Sequence, residues 1–248
     1  MNILVCISQV PDTTAKIVIN SAGNAVDPAG IKFILNPYDE YAIEEGLRLR
    51  EKFTGTVTAV TVGGDSAKEI LRTALAMGVD KAVIIKNAEK SDSFSVAKNI
   101  ADYASTLNPD VILLGRQSID YDSFQMSGTL GELMNMASVS MVSKLEITGT
   151  DVAMERDIEG GKESVQTSLP CVIGVQKGLN EPRYPKLPDI MKAKSKPIEE
   201  VTPSSQETRV QTITMDIPAS KRVGKILGDT DADIAEFVRL LHEDAKAF

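Results

Sequence analysis

Short apolar runs alternate with amphipathic segments through the first half of the chain, and this alternation constrains the fold more than any other feature. The runs lie at residues 3–8, 56–62, 82–85 and 111–114, and apolar positions at helical spacing follow each of them. Strands that are separated by helices pair in parallel through right-handed crossovers. The sequence therefore predicts an α/β fold with a doubly wound parallel sheet.

Two helices in this half begin with capping signals. Asn36 precedes Pro37, which predicts an N-cap followed by a proline at the first helical position. Ser66 is followed three residues later by Glu69, the spacing of a capping box, and Gly78 is placed to close the same helix. We expect both helices to be fixed at their ends by these residues.

Residues 110–131 contain the strongest candidate for a ligand site. The buried run Val111–Leu114 ends at Gly115, a polar loop follows, and Ser127, Gly128 and Thr129 open a helical pattern. A strand, a loop and a helix start in this order present free backbone N–H groups to a phosphate. The pattern predicts an adenine-nucleotide site, although a βα connection without a ligand has the same form.

The pattern changes after residue 140, where short alternating segments replace the helices. The segments and their connections are 144–147, Gly149-Thr150, 152–157, Gly160-Gly161 and 163–168. Two-residue connections that contain glycine are typical of tight hairpins. We expect an antiparallel hairpin extension, after which Cys171–Val175 returns to the main sheet.

The remaining chain has little periodicity until a last helix at about residues 231–244. Such a tail wraps a partner or is mobile. The sequence thus divides into an α/β domain over residues 1–200, with an irregular, proline-containing loop at about 176–196, and a C-terminal arm over residues 201–248.

Composition excludes several classes of function. The net charge of -8 and the pI near 4.9 argue against a nucleic-acid partner, which needs clustered Lys and Arg. No apolar run reaches the ~18 residues of a membrane span, and because the sequence shows no basic n-region or cleavage site before its first strand, we expect no signal peptide. Cys6 and Cys171 lie in apolar runs and are read as buried thiols, so we expect a cytoplasmic protein.

The sequence contains no set of residues that would carry out catalysis. The single histidine, His242, lies in the last predicted helix, and no nucleophile–base pair or metal-ligating cluster is evident. A nucleotide site without catalytic groups indicates a structural or regulatory role. We therefore predict a protein that is not an enzyme and binds no metal.

Four motifs, in this order along the chain, resemble the electron-transfer flavoprotein β-subunit family. They are Asn36–Glu45, Arg72–Gly78, Leu114–Asp120, and Leu179–Tyr184 followed by Asp189–Lys194. The resemblance covers residues 1 to about 200. It implies the adenine-nucleotide α-hydrolase-like form of the doubly wound fold, with a C-terminal arm that wraps a partner subunit.

The resemblance also implies a function. In this family the β subunit forms a heterodimer with an α subunit that carries the redox-active FAD, while the β chain holds a structural AMP and does no chemistry. The heterodimer accepts electrons from flavin dehydrogenases, such as acyl-CoA dehydrogenases of fatty acid oxidation. It passes them to a membrane quinone reductase.

Carried over by position, AMP would lie at the carboxyl ends of the first, second and fourth strands and at one helix start. The implied residues are Cys6, Asn36, Pro37, Tyr38, Asp39, Val62, Gly115, Arg116, Gln117, Ser118, Ile119, Asp120, Asp122, Phe124, Gln125, Met126, Ser127 and Gly128. Ser127 and Gly128 would lie beside the phosphate.

Partner contacts are implied at two further places. The residues of the recognition loop are Leu179, Asn180, Glu181, Pro182, Arg183 and Tyr184. An exposed Leu179 would insert into an apolar pocket of the dehydrogenase, and the prolines would lower its ordering cost. Thr13 and Tyr38 correspond to positions near the α-subunit flavin, although Tyr38 also fits a core position, and Asp157 lies where the family often has a partner-facing glutamate.

Two alternatives stay open. Some family members are electron-bifurcating and carry a second FAD where AMP would lie, although those tend to lack the Asn-Glu-Pro-Arg-Tyr loop. A stand-alone adenine-nucleotide-binding regulator or nucleotide-cleaving enzyme is the other alternative. The small molecule that the chain retains distinguishes these possibilities.

Overall fold

The computed structural model describes residues 1–87, 91–219 and 224–247. Its strands are β1 (Asn2–Cys6), β2 (Gln9–Pro11), β3 (Phe33–Leu35), β4 (Thr56–Gly63), β5 (Lys81–Lys86), β6 (Val111–Gly115), β7 (Ala137–Thr148), β8 (Asp151–Ile158), β9 (Gly161–Ser168), β10 (Cys171–Val175) and β11 (Glu199–Val201). Its α-helices are α1 (Pro37–Phe53), α2 (Lys68–Met77), α3 (Ser93–Leu107), α4 (Met126–Met134), α5 (Leu187–Ser195) and α6 (Asp231–Arg239).

The central sheet has the strand order β11-β5-β4-β1-β6-β10-β7-β8-β9. Pairing is parallel from β11 to β7 and antiparallel through β8 and β9. Apolar side chains of α1 and α2 pack on one face of the sheet, and those of α3 and α4 pack on the other. The predicted doubly wound fold with a hairpin extension is confirmed.

The hairpin extension is continuous with the main sheet. The first half of β7, from Ala137, pairs in parallel with β10, and its second half pairs with β8. The predicted strand start at residue 144 was therefore too late. The predicted turn at Gly160-Gly161 was wrong by one residue, because Gly161 pairs with Ile158 across the hairpin.

Neither predicted N-cap hydrogen bond forms, whereas Gly78 closes α2 as predicted. Asn36 occupies the N-cap position of α1, but its side chain makes no capping hydrogen bond and reaches instead to the loop after β6. Residues Asp65–Ala67 form a 3-10 turn before α2, without a capping box. The Ser66 hydroxyl is 3.0 Å from Gln9 Oε1, to which it donates a hydrogen bond, so a tertiary contact replaces the local cap.

A strand that the sequence did not predict, β11, spans the junction between the α/β domain and the arm. β11 lies at the edge of the sheet beside β5, and its burial is slight. The last helix begins at Asp231, where Thr230 and Asp233 form a capping box, and continues as a π-helical turn to Asp244. No residue of α6 is buried. Among the described residues, no helix is both long and apolar enough to cross a lipid bilayer.

Candidate functional site

A deep crevice opens at the carboxyl edge of the sheet, where β1 lies between β4 and β6. The direction of the crossover connections reverses at this point, and open α/β sheets bind ligands at such switch points. The cavity has a volume of about 1140 Å³, and Cys6, Val62 and Leu114 form part of its wall. Its position agrees with the strand ends at which the sequence predicted a ligand.

A buried carboxylate fixes the geometry of the strand ends. Asp39, in the first turn of α1, accepts hydrogen bonds from Ser8 N at 2.8 Å and Ser8 Oγ at 2.7 Å through Oδ2. Its Oδ1 accepts from Gly115 N at 2.9 Å. One side chain therefore joins the residues that follow β1 and those that end β6.

Burial strongly affects the two ionisable groups of this region. Desolvation raises the pKa of Asp39 to about 6, although the hydrogen bonds from Ser8 lower it. Desolvation also raises the pKa of the Cys6 thiol, and the neighbouring Asp39 carboxylate adds to the effect. Cys6 is therefore a neutral thiol in the crevice wall, without the thiolate that nucleophilic chemistry needs.

Gly115 allows the backbone of β6 to approach α1 closely. A Cβ atom at this position would be 2.5 Å from Asp39 Oδ1 and 2.6 Å from Tyr38 Cβ. The Asn36 side chain holds the following loop, because its Nδ2 donates to Gln117 O at 2.9 Å and its Oδ1 accepts from Ile119 N at 3.3 Å. The start of α1 thus positions the loop that leaves β6.

Arg116 is enclosed by aromatic rings at this loop. Its Cζ atom is 4.7 Å from the centroid of the Tyr38 ring and 5.1 Å from that of Phe124. Its Nη2 donates to the Tyr38 hydroxyl at 2.9 Å. The guanidinium thereby fixes the loop by cation–π contact and a hydrogen bond.

The residues of the crevice fit an adenine nucleotide. Among the described residues, the buried atoms Arg116 Nε and Gln117 Oε1 have no hydrogen-bond partner, and buried polar groups of this kind usually pair with a ligand or water. Val62, Leu114 and Met126 supply apolar wall for a base, and Thr129 lies in the first turn of α4. Unpaired polar groups beside apolar surface are typical of small-molecule sites.

The structure brings most of the expected AMP residues to the crevice. Those that line it are Cys6, Asp39, Val62, Gly115, Arg116, Gln117, Ser118, Asp120, Phe124, Gln125 and Met126. Those that do not form its wall are Asn36, Pro37, Tyr38, Ile119, Asp122, Ser127 and Gly128. Ser127 is buried, and its Oγ lies close to Gly174 of β10.

Sequence reasoning missed a second set of crevice residues. One part lies at the start of α3, where Asp92 and Phe94 line the cavity, and another lies in the arm, at residues 208–215. The polar run Ser91-Asp92-Ser93 is typical of a helix start and could have indicated the first part. The sequence of residues 208–215 contains no pattern that could have indicated their place in the crevice.

The motif Asn180–Arg183 attaches its loop to α1. Asn180 Nδ2 donates to Tyr41 O at 3.0 Å and to Glu45 Oε2 at 2.9 Å. Arg183 forms a bidentate pair with Glu44, with distances of 2.7 Å from Nε and 2.9 Å from Nη2, and a further pair with Glu51 at 2.8 Å. These polar side chains therefore face the body of the protein.

The exposed apolar side chains of this region lie further along the chain. Leu179 is partly buried and packs against the core, so the expectation of an exposed leucine at this position was wrong. Tyr184 is 93% exposed and Leu187 is 72% exposed, and Ile190 and Met191 of α5 are also exposed. The attachment by Asn180 and Arg183 draws Leu179 inward and leaves this later surface outside.

The remaining expected partner positions lie apart from one another in the fold. Thr13 is exposed in the turn after β2, whereas Tyr38 is half-buried under Arg116. Asp157, in β8, accepts a hydrogen bond from Ser143 Oγ at 2.9 Å. Among the described residues, no group of His, Cys, Asp and Glu side chains is arranged to hold a metal ion.

The fold and the crevice define a doubly wound α/β protein with a cavity at its switch point. Comparison with known proteins identifies the family to which the chain belongs. The family description of the electron transfer flavoprotein domain matches residues 24–206. The chain belongs to the electron transfer flavoprotein family.

Its relatives match over almost their whole length. The electron transfer flavoprotein subunit beta of Bacillus subtilis (strain 168) is 44% identical over 257 residues, which cover 99% of each chain. The proteins of the same name from Bradyrhizobium diazoefficiens and Homo sapiens are 36% and 33% identical, with 99% and 95% of this chain covered and 99% and 96% of theirs.

Proposed function

We propose that this chain is the β subunit of a heterodimeric electron-transfer flavoprotein and that its crevice binds a structural AMP. The redox-active FAD belongs to the α subunit, near Thr13 and Tyr38. The heterodimer accepts electrons from flavin dehydrogenases, such as acyl-CoA dehydrogenases, and passes them to a quinone reductase. The β chain has no catalytic role of its own.

The observation that carries the AMP assignment is the crevice at the switch point. It combines apolar wall, the start of α4 at Met126, and the buried atoms Arg116 Nε and Gln117 Oε1, which have no partner in the described part of the chain. The first turn of a helix favours an anion, because its N–H groups lack partners within the helix. Cys6 is a buried neutral thiol, and the Asp39 carboxyl group is occupied by hydrogen bonds from Ser8 and Gly115, so neither provides a nucleophile.

The C-terminal arm supports an obligate partner. In α6 the apolar residues Ile234, Phe237 and Val238 recur at helical spacing, and each is about half exposed. An amphipathic helix normally buries such a face, and the described residues of this chain bury none of the residues of α6. The α subunit is the occupant that the family of this chain favours.

Docking of the dehydrogenase is supported by the surface that begins at Tyr184. Leu187 and Met191 form an exposed apolar patch one helical turn apart, and Lys192 and Lys194 follow them. A leucine anchored on a rigid helix start is suited to a pocket on a partner. We therefore assign the anchor to Leu187, while Asn180 and Arg183 hold the recognition loop in place.

A second candidate has one observation in its favour. The cavity of about 1140 Å³ lies above the usual range of about 300–1,000 Å³ for small-molecule sites, so its size also admits FAD. A bifurcating β subunit with its own FAD is therefore the alternative. A stand-alone nucleotide-binding regulator is disfavoured by the half-exposed apolar face of α6.

Two measurements test the proposal. Purification of the tagged full-length chain from its native cells should yield a second chain that carries flavin, and the complex should become reduced by a flavin dehydrogenase and its substrate. Calorimetric titration of the nucleotide-stripped chain should detect AMP binding. A stable monomer that hydrolyses ATP would contradict the proposal.

A further inference from the structure

The first part of the C-terminal arm closes one side of the crevice. We call residues 208–215 the strap. Its residues that line the cavity are Thr208, Arg209, Val210, Gln211, Thr212 and Met215. The family match ends at residue 206, so the strap lies outside the matched region.

A single carboxylate holds the near end of the strap. Asp92 is the N-cap of α3, and its Oδ1 accepts a hydrogen bond from Ser95 N at 2.8 Å. Its Oδ2 accepts from the backbone N atoms of Arg209 at 2.6 Å and Val210 at 2.8 Å. Oδ1 of Asp92 thus caps α3, and Oδ2 holds the strap.

Two further contacts fix the course of the strap along the cavity. The Arg209 guanidinium stacks on Phe94, with its Cζ 3.6 Å from the ring centroid. At the far end, Met215 N donates to Gly23 O at 2.8 Å. The residue after Gly23, Asn24, lines the cavity as well, so the strap connects α3 to the loop between β2 and β3 along the crevice.

Arg209 has donors available for a ligand. Among the described residues its side chain donates one hydrogen bond, to Glu207 Oε1 at 3.5 Å, which is a weak interaction. The remaining N–H groups of a guanidinium that lines the cavity can bind an anionic oxygen.

We propose that the strap is a ligand-contacting wall of the crevice that retains the adenine nucleotide, and that the nucleotide leaves only when the strap detaches from Asp92. Arg209 contacts the nucleotide phosphate or ribose oxygens. This inference rests on the proposed function, because it assigns residues to the same nucleotide site.

Substitutions at Asp92 separate its two roles. Asp92→Ser and Asp92→Asn retain an oxygen that can cap α3, since Ser and Asn are good N-cap residues. Asp92→Ser removes the second acceptor, and Asp92→Asn directs an NH₂ group at the two N–H donors of the strap. Asp102→Asn is the matched control, because Asp102 lies in the same helix and accepts from Ser204 Oγ, before the strap.

The test measures release of a fluorescent AMP analogue from the full-length chain after addition of excess AMP. Loss of hydrogen bonds to a charged acceptor should make release about tenfold faster or more in both Asp92 variants, and urea unfolding should show that both variants remain folded. Asp102→Asn should release the analogue at the wild-type rate. Hydrogen exchange should show faster exchange of the Arg209 and Val210 amides in the Asp92 variants, with or without AMP.

Each outcome decides the inference. Equal release rates in the wild type and both Asp92 variants, with AMP still bound, would overturn it while leaving the proposed function in place. An unchanged AMP affinity in Arg209→Ala would overturn the ligand contact of Arg209. Failure of the wild-type chain to bind any adenine nucleotide would overturn the proposed function, and the inference with it.

Discussion

Replacing Arg183 with alanine tests how the recognition loop is held. The Arg183 guanidinium makes a bidentate pair with Glu44, whose side chain is only 8% exposed, and a second pair with Glu51, which is 53% exposed. The hydrogen bonds to Glu44 and then to Glu51 raise the pKa of Arg183 above its ordinary value. The pair with Glu44 should therefore account for most of the effect.

The magnitude follows from the burial of Glu44. Removal of one partner of a buried pair costs about 3–5 kcal/mol, because the other charge stays buried without compensation. The Arg183 side chain is itself 37% exposed, so water reaches one side of the pair and reduces the effect. We expect Arg183→Ala to lower the free energy of unfolding by about 2–3 kcal/mol.

Urea unfolding of the full-length chain measures this difference, and two controls interpret it. Glu51→Ala removes only the exposed pair and should cost less than about 1 kcal/mol. The double variant Glu44→Ala/Arg183→Ala should recover part of the lost stability, since no charge is left buried. The reasoning is refuted if Arg183→Ala costs less than Glu51→Ala, or if the two substitutions at 44 and 183 are additive.

Three further predictions concern the crevice and the docking surface. Gly115→Ala should lower the free energy of unfolding by about 1–3 kcal/mol and weaken AMP binding, because its Cβ would be 2.5 Å from Asp39 Oδ1. Gly64→Ala is the control for urea unfolding and calorimetry, because, apart from its chain neighbours, no described residue lies within 4 Å of the added Cβ. Folding raises the pKa of Asp39 from 3.8 to about 6, so the folded state favours the protonated form. This contributes up to about 3 kcal/mol to the free energy of unfolding below pH 4, and the contribution is lost as the pH rises through 6. The stability of the wild type relative to Asp39→Asn should therefore fall between pH 4 and pH 7, and a constant difference would contradict the burial of this carboxylate. Leu187→Ala should slow electron acceptance from the dehydrogenase without changing urea unfolding, because Leu187 is exposed. Leu179→Ala should mainly reduce stability, because Leu179 packs against the core. Equal effects of the two substitutions on the kinetics would contradict the assignment of the anchor to Leu187.

The parallel sheet was predictable because each of its strands and helices is marked by a pattern within its own short segment of sequence. Runs such as Val111–Leu114 are apolar at every position and are separated by helices with a clear apolar stripe, so their pairing follows from general topology. The crevice could be located for the same reason, since it lies where the ends of β1, β4 and β6 meet.

The predictions that were wrong concern side chains whose contacts join distant parts of the chain. Asn36 has the sequence of an N-cap, yet its amide holds the loop at Gln117. Leu179 has the sequence of an exposed loop residue, yet Arg183 and its partner Glu44 draw this segment onto α1. A local pattern does not reveal which of two compatible contacts a polar side chain will make.

The strap could not be predicted from its own residues. Residues 208–215 have no regular period, and their course is fixed by Asp92 at one end and by Gly23 at the other. These partners are more than a hundred residues away in sequence. The alternation that predicted the sheet carries no information about such a segment.

The most direct test of the account is the identity of the small molecule that remains with this chain. The purified complex is separated into its two chains under mild conditions, the β chain is denatured, and the released material is analysed by absorbance and mass spectrometry. The account predicts colourless AMP in an amount equal to that of the chain, with FAD recovered from the other chain. Release of FAD from this chain, or of no adenine nucleotide, would contradict it.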